Sequence, residues 1–338
     1  MRGMAQRMAR NSKRHRYAAL WFIFCALLSI FNICTIYIFD GSDWPFYAVL
    51  LNAVVSLIGI IYHMHADERR SETGRIRRAI PHLILALNSL MVFPMLFLSL
   101  FTLSGEYHNP LTADATITSA EQVWQTMDNS DKNVMVLQTD DLYIYCANYN
   151  NLAYVTEDRP SQDDKSNLLC VAAAFQSTYQ LDFNEDNIVG WHTSKGRLER
   201  GAPQDDLGAF TYVDGVARIW NIDEAEGAVR EAADKGGQGY QSFIVLKDGE
   251  RGDFRTHEFR CFRVLAILDG RVCIIDSRTL THFDEFVQKL QEFGVRDAVY
   301  SDMGSGWNYS WYRDANGNAQ TIIGMPWPFS HNWLTFRM

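Results

Sequence analysis

The run Val299, Tyr300, Ser301, Asp302, Met303, Gly304, Ser305, Gly306, Trp307 brings a buried-strand pattern up to a carboxylate and then to a glycine-serine turn. An aspartate at the carboxyl end of a strand, beside backbone N–H groups freed by two glycines, suits a ligand that needs both a carboxylate and an anion-tolerant nest. The alternative for Asp302 is capping of backbone groups in a polar turn. Ala173 to Tyr179 is a small-residue strand ending in Gln176, Ser177 and Thr178, whose amide and hydroxyls can orient sugar hydroxyls or simply finish a sheet edge. Gly190 to Arg197 reads as a loop offering Trp191, His192, Lys195 and Arg197, an aromatic face, an imidazole and two cations for an anionic saccharide. Arg260 and Arg263 lie on an apolar run, with Asp276 and Arg278 on the next. A buried arginine is costly unless a carboxylate or phosphate pairs with it. Their odd spacing sends the two arginines to opposite faces of an unbulged strand, so only one reaches a pocket. Arg263, deeper in the run, is the expected one, and Arg260 the expected surface residue.

These residues need elements to hold them. Phe283, Phe286, Val287, Leu290 and Phe293 recur at helical spacing, with Thr281 and Asp284 suited to an N-terminal capping box and Gly294 to the stop. Further helices are expected over Ala120 to Met127 and Ile222 to Ala233. Strand patterns cover Val134 to Leu137, Leu142 to Ala147, Leu168 to Phe175, Gly208 to Val213, Phe243 to Leu246, Phe259 to Leu268 and Arg271 to Asp276. Asp214-Gly215 and Asp269-Gly270 mark turns, the second a tight hairpin. The expected class is α+β, with a mixed or antiparallel sheet and few helices. Trp307, Tyr309, Trp311 and Tyr312 suit either sugar stacking or core packing. The tail Pro326 to Phe336 suits a closing strand or lid.

Three apolar runs, residues 17–39, 44–62 and 79–103, contain no Asp, Glu, Lys or Arg. Each reaches the roughly twenty residues a helix needs to cross a bilayer, and together they read as three transmembrane helices in an anchor spanning residues 1–103. Arginines crowd the amino-terminal arm and the loop after the second run, which places both on the cytoplasmic side. Three crossings then deliver residues 121–338, after a linker over 104–120, to the periplasmic or extracellular side of a bacterial inner (cytoplasmic) membrane. Residues 104–338 hold 20 Lys and Arg against 35 Asp and Glu, an acidic balance that disfavours nucleic acid as a partner. Cys146, Cys170, Cys261 and Cys273 fall on strand-like segments and read as buried free thiols rather than disulfides. No HxxxH or CxxC spacing points to zinc.

Taken in order, these islands resemble the phosphodiester glycosidase family, the domain related to N-acetylglucosamine-1-phosphodiester alpha-N-acetylglucosaminidase. The resemblance covers residues 168–325 and none of the membrane part. It lies in Phe175 to Tyr179, Gly190 to Gly201, Arg263 with Asp269, Gly270 and Arg271, the Thr281 to Phe293 helix, and Ser301 to Gly306. Gln176 stands where the family has Asn, Ser177 and Thr178 replace small glycines, and Met303 replaces a glycine. The resemblance implies hydrolysis of a sugar-1-phosphodiester in an extracytoplasmic glycan or wall polymer. It implies Asp302 at the anomeric centre and Arg263 on the phosphate, with Asp276 as the runner-up second carboxylate. Gln176, Ser177, Thr178, His192, Gly304, Ser305 and Trp307 would bind substrate. A separation of about 5–5.5 Å between carboxylates would favour retention and roughly 6.5–9.5 Å inversion. Mg²⁺ or Ca²⁺ would relieve repulsion between carboxylate and phosphate, although no ligand loop is visible. The competing class is a membrane-tethered module that binds a glycan without cleaving it.

Overall fold

The computed structural model describes residues 112–156, 158–176, 188–194, 196–303, 309–323 and 332–338, together with Leu20, Trp21, Ile23, Phe24 and Leu27. The chain divides into two units, Met1–Leu103 and Ser104–Met338. In the first, the five described residues are helical and exposed. The three expected membrane spans otherwise lie outside the described residues, among which no helix is long and apolar enough to cross a membrane.

The second unit runs β1 (Ala115–Thr116), α1 (Glu121–Asp128), β2 (Val134–Gln138), β3 (Leu142–Ala147), β4 (Asn151–Thr156), β5 (Asn167–Ala172), β6 (Trp191–Ser194) and β7 (Arg197–Arg200). It continues through β8 (Gly208–Val213), β9 (Val216–Trp220), α2 (Ile222–Asp234), β10 (Gln238–Ser242), β11 (Ile244–Lys247), β12 (Glu250–Arg251), β13 (Phe259–Arg260), β14 (Arg263–Leu268) and β15 (Arg271–Ser277). Last come β16 (Thr281–His282), α3 (Phe283–Phe293), β17 (Asp297–Tyr300), β18 (Ser310–Arg313), β19 (Ala319–Ile323) and β20 (Asn332–Arg337). Sheet-rich, with three helices among its described residues, the unit fits the α+β class. The expected linker ends earlier than residue 120, since β1 already pairs in parallel with β2.

An eight-stranded sheet in the order β1-β2-β3-β15-β14-β17-β11-β12 forms the middle layer. Side-chain alternation divides its two faces. Val264, Ala266, Cys273 and Ile275 meet α1 and α3 through Trp124, Phe283, Phe286 and Leu290. Leu265, Val272 and Ile274 meet a second sheet, β19-β18-β5-β20-β4, through Leu169, Val171, Leu334 and Phe336. A third sheet, β7-β6-β10-β8-β9, carries α2, and β13 pairs with β16 alone. The described part of the tail, Asn332–Arg337, is an internal strand, with β20 between β5 and β4.

Asp269 and Gly270 both adopt positive φ, 52° and 76°, as a two-residue hairpin turn requires, and β14 and β15 pair in register from it. The apolar stripe of α3 is buried as expected. Its start lies slightly later than expected: His282 is the N-cap, and the Glu285 carboxylate accepts from the Thr281 hydroxyl at 2.8 Å. Gly294, at φ 104°, ends it. The expected strand from Phe259 to Leu268 is broken at Cys261-Phe262, because β13 follows β16 while β14 lies between β15 and β17.

Candidate active site

The ends of β5 and β17 are tied side by side. The Ser301 hydroxyl donates to the Ala172 carbonyl at 2.6 Å, and the Asp302 N–H donates to the Ala173 carbonyl at 3.0 Å. Asn332 fixes the β5 side from β20. It accepts from the Ala174 N–H at 2.7 Å and donates to the Ala174 carbonyl at 3.1 Å. Asp302 emerges partly exposed from this junction, while Ser301 and Met303 on either side are buried. Gln176, the last described residue on the β5 side, is buried and bridges to Ile188. Ser177, Thr178, Gly304, Ser305 and Trp307 lie outside the described residues.

Arg263 and Asp276 occupy a different place from the one expected of them. They are directly opposed across the hairpin, and neither side chain is exposed at all. Arg263 donates from Nε and Nη2 to the two Asp276 oxygens at 2.6 and 2.7 Å, and from Nη1 to the Ser310 hydroxyl at 2.6 Å. Alternation explains the placement, because Arg263 shares the face of Leu265, and Asp276 that of Ile274, which is turned toward the second sheet. The pair is thus a buried ion pair between two layers, and its carboxylate partner comes from within the fold.

The guanidinium on which the Asp302 charge acts is that of Arg260. Its Nη2 donates to the Tyr300 hydroxyl at 2.8 Å, and it lies over the rings of Phe262 and Tyr300. Its side chain is only 20% exposed, so the expectation of a surface residue is corrected too. Burial opposes its charge, but the Tyr300 oxygen and the carboxylates of Glu258 and Asp302 outweigh this and hold its pKa above the ordinary arginine value. Burial likewise pushes the Tyr300 phenol up to about 12, with Arg260 working against the shift and Asp302 and Glu258 adding to it. Asp302, Arg260, Tyr300 and Glu258 therefore form one electrostatic group. Glu258 was not singled out in the sequence, where it sits among polar residues with no periodicity.

His192 does not reach solvent. The expected loop is the β6–β7 hairpin, in which His192 faces Glu199, its Nε2 lying 3.4 Å from the carboxylate. Its ring packs edge-on against Tyr154. Burial lowers its pKa, and Glu199 only partly offsets the effect. Tyr309 and Trp311 are also core residues, packed with Cys170 and Trp333. Among the described residues, no group of three or more His, Cys, Asp or Glu side chains converges as if to hold a metal ion.

No protein-family model matches the chain, and no curated protein matches it. Among solved structures, it is similar to the zebrafish N-acetylglucosamine-1-phosphodiester alpha-N-acetylglucosaminidase catalytic domain auto-inhibited by pro-peptide. The TM-score is 0.43 and the identity 11%, over 61% of this chain and 81% of that chain. A likeness at that level establishes neither a common activity nor a common substrate.

Proposed function

We propose that the unit after Leu103 is a hydrolase that cleaves a sugar-1-phosphodiester at its anomeric carbon, tethered to a bacterial membrane by the apolar segments that precede it. The observation that carries this reading is the partly exposed Asp302 side chain, whose backbone is anchored at a two-strand junction and whose charge acts on the hydrogen-bonded Arg260 guanidinium and Tyr300 phenol. A negative oxygen pair can stabilise, or attack, an anomeric carbon as it gains oxocarbenium character. The C1–O bond breaks with its electron pair on the phosphate oxygen. Water supplies the new C1–O bond, and its released proton goes to the product phosphate or to solvent. Because the departing phosphate monoester is already a stable anion, a cation that holds it matters more than a strong proton donor.

The order of the sequence islands supports the same chemistry, and the acidic balance of this unit argues for a solvated carbohydrate rather than a nucleic acid partner. The test is incubation of the full chain with the methyl phosphodiester of N-acetylglucosamine-1-phosphate. Release of free N-acetylglucosamine together with methyl phosphate is expected. Saturable binding without release of either product would instead identify a glycan-binding module.

A further inference from the structure

The segment that carries Arg260 has an asymmetry of its own. In the extended β13, Arg260 faces Thr281 of β16, while Phe259 turns its ring to His282, with 5.0 Å between centroids. Alternation therefore sends Glu258 and Arg260 to one side and Phe259 to the other. Glu258 Oε2 lies 2.6 Å from Arg260 Nε. The two partners are not held equally. Arg260 is fixed by the Tyr300 hydroxyl and by two aromatic rings, and its side chain is 20% exposed, whereas that of Glu258 is 44% exposed. A solvated carboxylate leaves such a pair at little cost, but the guanidinium cannot follow it.

Charge makes this movement useful. Asp302 and Glu258 both act on the single Arg260 charge, so the group is net negative as it stands. An incoming phosphodiester anion would be repelled unless one carboxylate withdrew, and Glu258, exposed and outside any strand, can do so more readily than the part-buried Asp302, whose backbone is fixed at the strand junction. We infer that Glu258 is a displaceable carboxylate that occupies the Arg260 guanidinium until the substrate phosphate replaces it, which makes Arg260 the phosphate-binding residue of the site. The planar guanidinium suits either oxyanion, since both present two oxygens to its fork. This inference rests on the proposed phosphodiester substrate.

Two measurements on the full chain test it, calorimetric titration with methyl phosphate and the KM for the methyl phosphodiester of N-acetylglucosamine-1-phosphate. Glu258→Gln should tighten methyl phosphate binding by up to about five-fold and lower KM in parallel, because the competing charge is gone. Arg260→Gln should weaken binding at least about ten-fold, with Arg260→Lys in between. A retained near-UV circular dichroism spectrum checks that Arg260→Gln is folded, and if it is not, the Glu258→Gln titration decides alone. Binding by Glu258→Gln equal to or weaker than wild type overturns the inference, as does undiminished binding by folded Arg260→Gln. If the wild-type chain releases no sugar, the hydrolase reading falls, yet the methyl phosphate titration still supports or overturns the displaceable carboxylate.

Discussion

Asp276→Asn separates structure from chemistry at the buried pair. The Asp276 carboxylate takes two hydrogen bonds from Arg263 at 2.6 and 2.7 Å, and both side chains are fully shielded from water. An asparagine keeps the shape but can accept only through its carbonyl oxygen, and its NH₂ then points at a guanidinium N–H. The arginine charge is left in the layer without the Asp276 charge that balances it, while the Ser310 hydroxyl still accepts from Nη1. Breaking one side of a buried ion pair costs about 3–5 kcal/mol. For a unit of this size, about 1 kcal/mol moves the melting temperature by roughly 2–4 °C, so a fall of about 6–20 °C is expected. Near-UV circular dichroism of the full chain during heating measures it. Replacing both partners, as Arg263→Met with Asp276→Leu, should recover most of the loss, since two apolar groups leave no charge stranded. Below its transition, the Asp276→Asn variant should retain turnover per folded molecule. A melting temperature within about 2 °C of wild type, or folded protein without turnover, would refute the assignment of this pair to the scaffold.

Other expectations follow from the same geometry. A Cβ on Gly201 would lie 1.6 Å from the Ile188 carbonyl oxygen, so Gly201→Ala should destabilise at the upper end of about 1–3 kcal/mol or beyond, read by urea unfolding. His192 titrates below its ordinary value in the folded chain, so folding binds fewer protons there. Its contribution is complete above about pH 6.5 and declines as pH falls from there toward the lower folded value; His192→Phe should flatten that part of the stability-against-pH curve. Cys146, Cys170 and Cys273 are buried and Cys261 is partly exposed. Mass-mapped alkylation of the native chain should therefore mark Cys261 first among these four, and slowly, because burial and then the Asp276 charge push its thiol up to about 11.

Much of the middle sheet was legible because its sequence signals are local and agree with one another. The Asp269-Gly270 turn, the β-branched residues on both sides and the amphipathic α3 all point to the same arrangement. Asp248-Gly249 carries the same turn chemistry, with φ 54° and 89°, but β11 and β12 beside it are too short to show alternation. Strand β10 is hidden for another reason. Its Gln-Gly-Tyr-Gln-Ser run lacks a strand pattern, yet it lies between β6 and β8, where a Cβ on Gly239 would meet Phe210 and Thr211 at 3.2 Å.

At the site, the strand-end position of Asp302 could be read from its flanks, whereas the choice of arginine could not be made from depth in the apolar run. Arg263 and Asp276 each stand six residues out from the turn pair, so a register drawn from Asp269-Gly270 would have matched them before any pocket was invoked. The partnership of Arg260 with Tyr300 and Glu258 depends on β13 leaving the sheet for β16, a long-range pairing of two residues with no sequence signature.

The most direct test of the whole account is turnover by Asp302→Asn, a change that keeps the side-chain shape and removes its charge. With melting temperature intact and methyl phosphate binding shown to be no weaker than wild type, release of N-acetylglucosamine from the phosphodiester should fall by about 10²–10⁴-fold. A folded Asp302→Asn variant that turns over at the wild-type rate would contradict it.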